Sequence, residues 1–220
     1  MKAINKNELK KGLLVIGGYL IIPSFLFNPL KFFIKKGIFT TLSANVAILL
    51  IMAIIFGLIY RKDLINDLKI SFKKVILTTL KYWLIGFIIM YISSLIIELF
   101  KLAPNVNQEA NIALLKEAPV LEFIFAVILA PFVEELVFRR SLIKAINNKH
   151  IYAITTGLMF AFIHVTSSLS QGSIMLLYLI PYAAVGIAFG YSYYKTKNIY
   201  GTMIIHSFHN LLSLLALLFI

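Results

Sequence analysis

Long apolar segments alternate with short basic segments along the whole chain. A membrane-spanning helix needs about 20 mostly apolar residues. Seven segments meet this requirement, with boundaries near 13–30, 38–60, 77–100, 119–143, 151–169, 173–194 and 200–219. The pattern therefore predicts an all-α fold, a polytopic transmembrane helix bundle of about seven spans. The first segment follows a basic stretch, as in a signal peptide, but its length and the lack of a small-residue cleavage site predict a retained helix.

Two polar segments between the spans show helical patterning of their own. Residues 61–74 (RKDLINDLKISFKK) alternate apolar and charged positions at helical spacing, which predicts an amphipathic helix at the membrane interface. A solvated connecting loop is the alternative for this segment. Residues 105–117 (NVNQEANIALLKE) follow Pro104, which predicts a turn and then a short surface helix.

The composition supports a membrane protein and excludes several other classes. Of the 220 residues, 60% are hydrophobic and 14% are charged, whereas about 25% are charged in a soluble domain. The net charge of +12 comes from lysines between the apolar segments, where they meet anionic lipid head groups, so nucleic acid is not expected as a partner. The absence of cysteine excludes disulfides, thiolate nucleophiles and cysteine metal sites.

The distribution of basic residues predicts an orientation. With the N-terminus in the cytoplasm, the inside segments hold 16 of the 21 lysines and arginines and the outside segments hold 5. Positive residues favour the cytoplasmic side, so we expect a multi-pass protein of the cell membrane with a cytoplasmic N-terminus. The richness in lysine, isoleucine and asparagine indicates an AT-rich bacterial genome.

The segment PFVEELVFRRSL places Glu134, Glu135 and Arg139 together in an otherwise apolar helix. Each costs about 2.5–3.5 kcal/mol at the bilayer centre unless it is paired or faces a polar cavity. Glu135 and Arg139 are four residues apart and can form an ion pair on one helix face. Glu134 points about 100° away, so it is free to face another helix and to act as a general base or acid.

Two later spans carry further polar groups. Phe160 precedes His164 by four residues, and His206 precedes Asn210 by four, so each pair shares a helix face. His209 lies off the face of His206 and is expected to be a bystander. Each residue alone is consistent with a hydrogen-bonded core position or an interhelical contact. Glutamate, two histidines and asparagine together are the residue types that activate water and stabilise an oxyanion.

The three motifs, in this order and in membrane spans, resemble a known family. EExxxR at residues 134–139, FxxxH at 160–164 and HxxxN at 206–210 are similar to the motifs of the CPBP family, which includes the Rce1-type CAAX prenyl proteases and the bacterial Abi (bacteriocin self-immunity) proteins. The resemblance covers about residues 104–215. It divides the chain into N-terminal transmembrane helices with an amphipathic segment, 1–103, and a CPBP/Abi-like catalytic core, 104–220.

The resemblance implies an intramembrane endopeptidase that hydrolyses a bond in a peptide or a membrane protein. Glu134 would activate the attacking water, with His164 as its partner. His206 and Asn210 would hold the oxyanion. Three further residues would position the catalytic helix and pack the site: Glu135, Arg139 and Phe160. A prenylated CAAX substrate is not expected, because bacteria do not ordinarily make one.

Two mechanisms fit these residues. Zinc could be held by His164, His206 and Glu134, a known catalytic donor set. The metal-free alternative, with no cofactor, is favoured because the Glu135–Arg139 pair leaves one glutamate, which cannot easily be both ligand and base. One tension concerns depth: at the α-helical rise, His206 enters its span by about 10 Å and His164 by about 20 Å.

Three classes of function are consistent with the sequence. The first is the peptidase. The second is a bacteriocin-immunity or scaffolding protein without proteolysis, and the third is an ion-coupled transporter, since membrane carboxylates and histidines also build proton pathways. No inverted repeat or paired broken helix, as transporters often show, is evident in the sequence. The sequence sets no oligomeric state.

Overall fold

All regular structure in the described part of the chain is helical. The computed structural model describes residues 5–30, 38–102 and 105–217. The α-helices are α1 Lys6–Leu30, α2 Ile38–Ile59, α3 Arg61–Asp67, α4 Phe72–Leu99, α5 Val106–Glu117, α6 Pro119–Phe123, α7 Ala130–Glu134, α8 Lys149–Thr166, α9 Leu179–Thr196 and α10 Ile199–Leu217. Two π-helical segments, Ile124–Leu129 and Glu135–Arg140, flank α7, and two 3₁₀ segments, Ser167–Gln171 and Ser173–Tyr178, lie between α8 and α9. The all-α prediction is confirmed.

Five stretches within the described residues are long and apolar enough to cross a membrane. They are Lys6–Asn28, Thr40–Ile59, Phe72–Leu99, Lys149–Gln171 and Ser173–Thr196. The other two predicted spans are also helical, but they carry the buried glutamates and arginines (residues 119–140) and the polar histidines and asparagine (α10). The transmembrane helix bundle is confirmed, whereas the count of seven spans is not.

The two polar segments differ in how closely they follow the predictions. The helix expected over 61–74 covers only Arg61–Asp67, and α4 begins at Phe72, five residues before the predicted boundary at 77. The surface helix expected over 105–117 is present as α5. The Asn105 side chain caps it by accepting a hydrogen bond of 2.9 Å from the Asn107 amide.

Close contacts between small residues join α8 to α9 and α9 to α4. A Cβ added at Gly157 on α8 would lie 2.5 Å from the Ile187 nitrogen, and one at Gly190 would lie 2.8 Å from the Ala153 Cα. One at Gly86 on α4 would lie 2.8 Å from the Ala184 carbonyl oxygen. Small residues at helix crossings are the usual means of close packing in membranes. This packing holds α8, which carries His164, in a fixed position.

Helix α3 connects the ends of two helices that carry candidate site residues. Asp63 forms ion pairs with Arg140 and, at 3.1 Å, with Lys144. Asp67 Oδ2 accepts a 2.9 Å hydrogen bond from the Ile199 amide, the first residue of α10. Burial opposes ionisation of Asp63, but the hydrogen bond from Arg140 and the charges of Arg140 and Lys144 outweigh it, so the pKa of Asp63 is lowered. The ends of both helices are thus tied to one short element.

Candidate active site

Glu134 and Glu135 lie on a helix that contains two π-helical segments, one before Glu134 and one that begins at Glu135. We call residues 119–140, from α6 to the second π-helical segment, the glutamate helix. Glu134 is the last residue of α7, and Glu135 is the first residue of the second π-helical segment. Turns of π-helix are rare and often occur at functional sites. The two neighbouring carboxylates, about 100° apart on a helix, contact different partners.

The Glu134 carboxylate lies between two imidazole rings. Its Oε1 is 3.9 Å from His164 Nε2, and its Oε2 is 3.7 Å from His206 Nε2. Glu134 is 8% exposed and His206 is 2% exposed, while His164 is partly buried. The structure therefore brings together three of the four predicted catalytic residues, drawn from three helices. Glu134 faces other helices, as its offset from Glu135 predicted.

Glu135 binds the opposite side of His206. Its Oε1 lies 3.0 Å from His206 Nδ1, and its Oε2 lies 3.5 Å from Arg139 Nε within the same helix. Glu135 and Arg139 are fully buried. An ionised carboxylate is only an acceptor, so His206 Nδ1 donates and carries the hydrogen. The predicted Glu135–Arg139 pair is present, and it also orients His206, a link that helical spacing alone does not show.

His164 is oriented by its own helix and by two aromatic rings. Its Nδ1 lies 2.8 Å from the Phe160 carbonyl oxygen, so this nitrogen also donates. The Phe160 ring lies 4.2 Å from the His164 ring and 5.6 Å from the His206 ring, between centroids. Phe160 therefore packs against His164, as its spacing predicted, and also against His206.

The difference in depth between the two histidines is explained by where their helices begin. α8 begins with exposed residues at Lys149 and His150, whereas α10 begins at Ile199, which is fully buried beneath α3. α10 thus starts further inside the bundle than α8. His164, later in its own helix, and His206, early in its own, consequently reach the same Glu134 side chain.

Asn210 lies beside the cluster with one hydrogen bond already made. Its Nδ2 donates to the Ala126 carbonyl oxygen, 2.7 Å away in the first π-helical segment. An amide NH₂ has two hydrogens, so one remains for a substrate, and the oxyanion role of Asn210 stays a prediction. His209 packs against Trp83 and Phe87 instead, with ring centroids 6.4 and 6.3 Å away.

Tyr182 is a site residue that the sequence reasoning missed. Its ring stacks on His164 with centroids 5.1 Å apart and planes 28° apart. The Asn107 side-chain nitrogen donates to its hydroxyl at 3.5 Å, and the Asn105 side chain donates to the His164 carbonyl oxygen at the same distance. α5 therefore covers the His164 end of the site. No motif marks Tyr182; its place just after Pro181 in a predicted span was the sole signal.

A metal ion would need several donor side chains that converge on one point. Within residues 5–30, 38–102 and 105–217, no group of three or more His, Cys, Asp or Glu side chains has a spacing that could hold one. Catalytic zinc needs three protein donors at about 2.0–2.2 Å. Glu135 is engaged with His206 and Arg139, so of the two glutamates in the cluster only Glu134 is left as either base or ligand.

Comparison with known proteins agrees with the motifs. Residues 116–212 match the family model described as type II CAAX prenyl endopeptidase Rce1-like. This segment contains all three motifs, and the resemblance to the CPBP family is thereby confirmed. No solved structure is significantly similar to the chain.

Three curated relatives are similar over most of this chain. An uncharacterized protein of Mycoplasma capricolum is 27% identical over 76% of this chain and 53% of its own length. The UPF0177 protein YvdC of Lactococcus lactis is 30% identical over 73% of this chain and 64% of its own. The UPF0177 protein YxdF of the same organism is 25% identical over 59% and 73%. The chain thus spans between about half and two thirds of the length of the first two relatives.

Proposed function

We propose that this protein is an intramembrane endopeptidase that hydrolyses a peptide bond with water activated by Glu134. The observation that carries the proposal is the Glu134 carboxylate between His164 Nε2 and His206 Nε2, at 3.9 and 3.7 Å. The similarity to the Rce1-like family supports the reaction class. The substrate is a peptide or a segment of a membrane protein.

The hydrogen-bond donors define where the water would bind. Both histidines carry a hydrogen on Nδ1, because the partners there are a carbonyl oxygen and a carboxylate. In the neutral rings, each Nε2 is then an acceptor that faces Glu134. The separations are too long for direct hydrogen bonds and suit a bridging water. Such a water donates to Glu134 and to one Nε2, which leaves an oxygen lone pair for attack on a carbonyl carbon.

After attack, the same groups serve the later steps. Glu134 takes the proton of the water and returns it to the leaving amine as a general acid. The free N–H of Asn210 donates to the oxyanion. His206 donates as well only in its doubly protonated form, in which Glu135 at 3.0 Å balances the ring charge, much as a buried carboxylate supports the histidine of a serine protease.

We propose that the reaction needs no metal ion. Because Glu135 binds His206 and Arg139, only Glu134 of the two adjacent glutamates is left to act as base. If Glu134 were a zinc ligand, it could not also act as the base. A strong chelator should therefore leave cleavage unchanged in protein purified without added metal.

We also propose a location and an orientation. The long apolar helices and the similarity to a family of membrane proteases support a membrane location. The excess of basic residues at the end that contains the start of α1 and α3 supports a multi-pass arrangement in the cell membrane with that end in the cytoplasm.

The experiment compares membrane peptides by mass spectrometry from cells that express wild-type protein or one of two matched variants. Glu134→Gln removes the base and should reduce cleavage by about 10²–10⁴-fold. Glu122→Gln is the control, because Glu122 is fully buried on the same glutamate helix and is not part of the cluster. Its products should match those of the wild type.

The assignment fails if the Glu134→Gln protein, folded and present at the wild-type level, yields the same products. If no product distinguishes wild type from Glu134→Gln while a cellular protection phenotype persists in both, the non-proteolytic immunity function replaces the peptidase. Proton-coupled flux in liposomes that is lost in Glu134→Gln would instead favour a transporter.

A further inference from the structure

A basic groove lies between α4 and α9, at the end of the bundle that holds α3. It has a volume of about 490 Å³. We define the basic groove by the residues of its walls that matter here: Lys73, Lys74, Lys81 and Lys195, with Tyr82 and Leu77. A second groove of about the same volume adjoins it, shares Tyr82 and Lys195, and adds Lys149.

Among the residues that the structure describes, no acidic side chain forms an ion pair with these lysines. The chain has nine aspartates and glutamates, and none of them lines either groove. The nearest acidic residues in the sequence, Asp63 and Asp67, are engaged with Arg140, Lys144 and the Ile199 amide. Like charges held together without counter-charges repel each other, so an anion in the groove would be bound favourably.

Tyrosine rings hold part of the groove in place. The Tyr82 ring stacks on Tyr191 with centroids 6.2 Å apart and planes 13° apart. The Lys195 ammonium lies 5.9 Å from the centre of the Tyr82 ring. Tyrosines are typical of membrane–water boundaries, where the ring is apolar and the hydroxyl reaches water. The groove thus has the residue types of the head-group level.

The wall beyond the lysines is apolar and open to the outside of the bundle. Along α4, Leu77 is 57% exposed, and Leu84 and Ile85 are each 51% exposed. A free soluble anion would gain nothing from this surface. A molecule with an anionic head and acyl chains matches both parts, because its head meets the lysines while its chains cover these residues.

We propose that the basic groove is a binding site for the head group of an anionic phospholipid. The lysines of α4 and Lys195 of α9 bind the phosphate, and the acyl chains lie along α4. The site is separate from the Glu134 cluster, so the proposal does not depend on peptidase activity.

The expected strength follows from the lysine charges. Each lysine near an anionic membrane surface contributes about a fivefold gain in affinity. Removing three should weaken binding on the order of a hundredfold, and raising the salt concentration should weaken binding to the wild type.

The test uses the full chain in a neutral detergent, with bound lipid counted by native mass spectrometry during titration with phosphatidylglycerol or phosphatidylcholine. The test variant is Lys73→Gln/Lys81→Gln/Lys195→Gln. The matched control carries the same charge change on exposed lysines of α1 and α3, as Lys6→Gln/Lys10→Gln/Lys62→Gln. Inorganic phosphate, added as a competitor, separates a lipid site from a site for a soluble anion.

The expected result is that wild type and control retain phosphatidylglycerol over phosphatidylcholine and the test variant does not. Equal losses in test and control variants would show diffuse surface attraction and overturn the proposal, as would full retention by the test variant. Displacement of the lipid by millimolar phosphate would overturn the lipid as occupant. If the triple variant does not fold, Lys81→Gln and Lys195→Gln are measured separately, and each should lose about fivefold in affinity.

Discussion

Replacing Glu135 with glutamine should destabilise the protein, whereas replacing the adjacent Glu134 should not. Glu135 bridges Arg139 and His206 at 3.5 and 3.0 Å, and the three side chains are at most 2% exposed. Glu135→Gln leaves the Arg139 charge buried without a counter-charge. Breaking a buried pair in this way costs about 3–5 kcal/mol.

That cost translates into a measurable change in melting temperature. For a chain of this size, each kcal/mol corresponds to about 2–4 °C, so Glu135→Gln should lower the Tm by about 6–20 °C. Glu134→Gln keeps its neighbours neutral or paired and should stay within a few degrees of wild type. Both variants should lose peptide cleavage, because one lacks the base and the other the group that orients His206.

The assay is thermal unfolding in detergent followed by fluorescence, with cleavage measured on the same samples. A third variant, Glu135→Gln/Arg139→Met, removes the stranded charge. It should recover most of the lost stability while remaining inactive. The reasoning is refuted if Glu135→Gln melts with the wild type, or if the double variant melts as low as the single one.

Three further predictions concern residues outside this pair. Gly157→Ala should cost about 1–3 kcal/mol in unfolding free energy by pushing α8 from α9, while Gly17→Ala, which meets nothing within 4 Å, should not destabilise the protein in the same melts. Asp63→Asn should lower the Tm, because ionised Asp63 stabilises the fold through its ion pairs. The decrease in Tm should be at its full size above the ordinary carboxyl pKa of 3.8 and should shrink as the pH falls through the lowered pKa of Asp63. A decrease in Tm that grows on acidification would contradict the ion pairs. Tyr182→Leu should reduce kcat and shift its pH profile by removing the ring stacked on the site, while Tyr182→Phe keeps the ring and should stay within a fewfold of wild type; equal effects would show that the hydroxyl matters instead.

The sequence predicted the helical membrane fold and most of the residues that the structure brings together at the candidate site. Runs of about 20 apolar residues have few ways to bury their backbone polar groups in lipid except as helices, so the helices could be located from hydropathy alone. Charged groups in such runs are costly, and their presence at Glu134, Glu135 and Arg139 therefore predicted a paired or functional cluster. The i, i+4 spacing correctly paired Glu135 with Arg139 and placed Phe160 against His164.

The tertiary structure decided what depends on contacts between helices. Helical spacing gives directions within one helix, but not the height at which the next helix begins. The burial of Ile199 beneath α3 brings His206 level with His164. The π-helical winding around Glu134, the bond from Glu135 to His206 and the stacking of Tyr182 on His164 likewise arise from packing. The spacing of residues within one helix does not predict these features. The contacts join residues that are far apart in the chain, and the winding depends on how neighbouring helices pack.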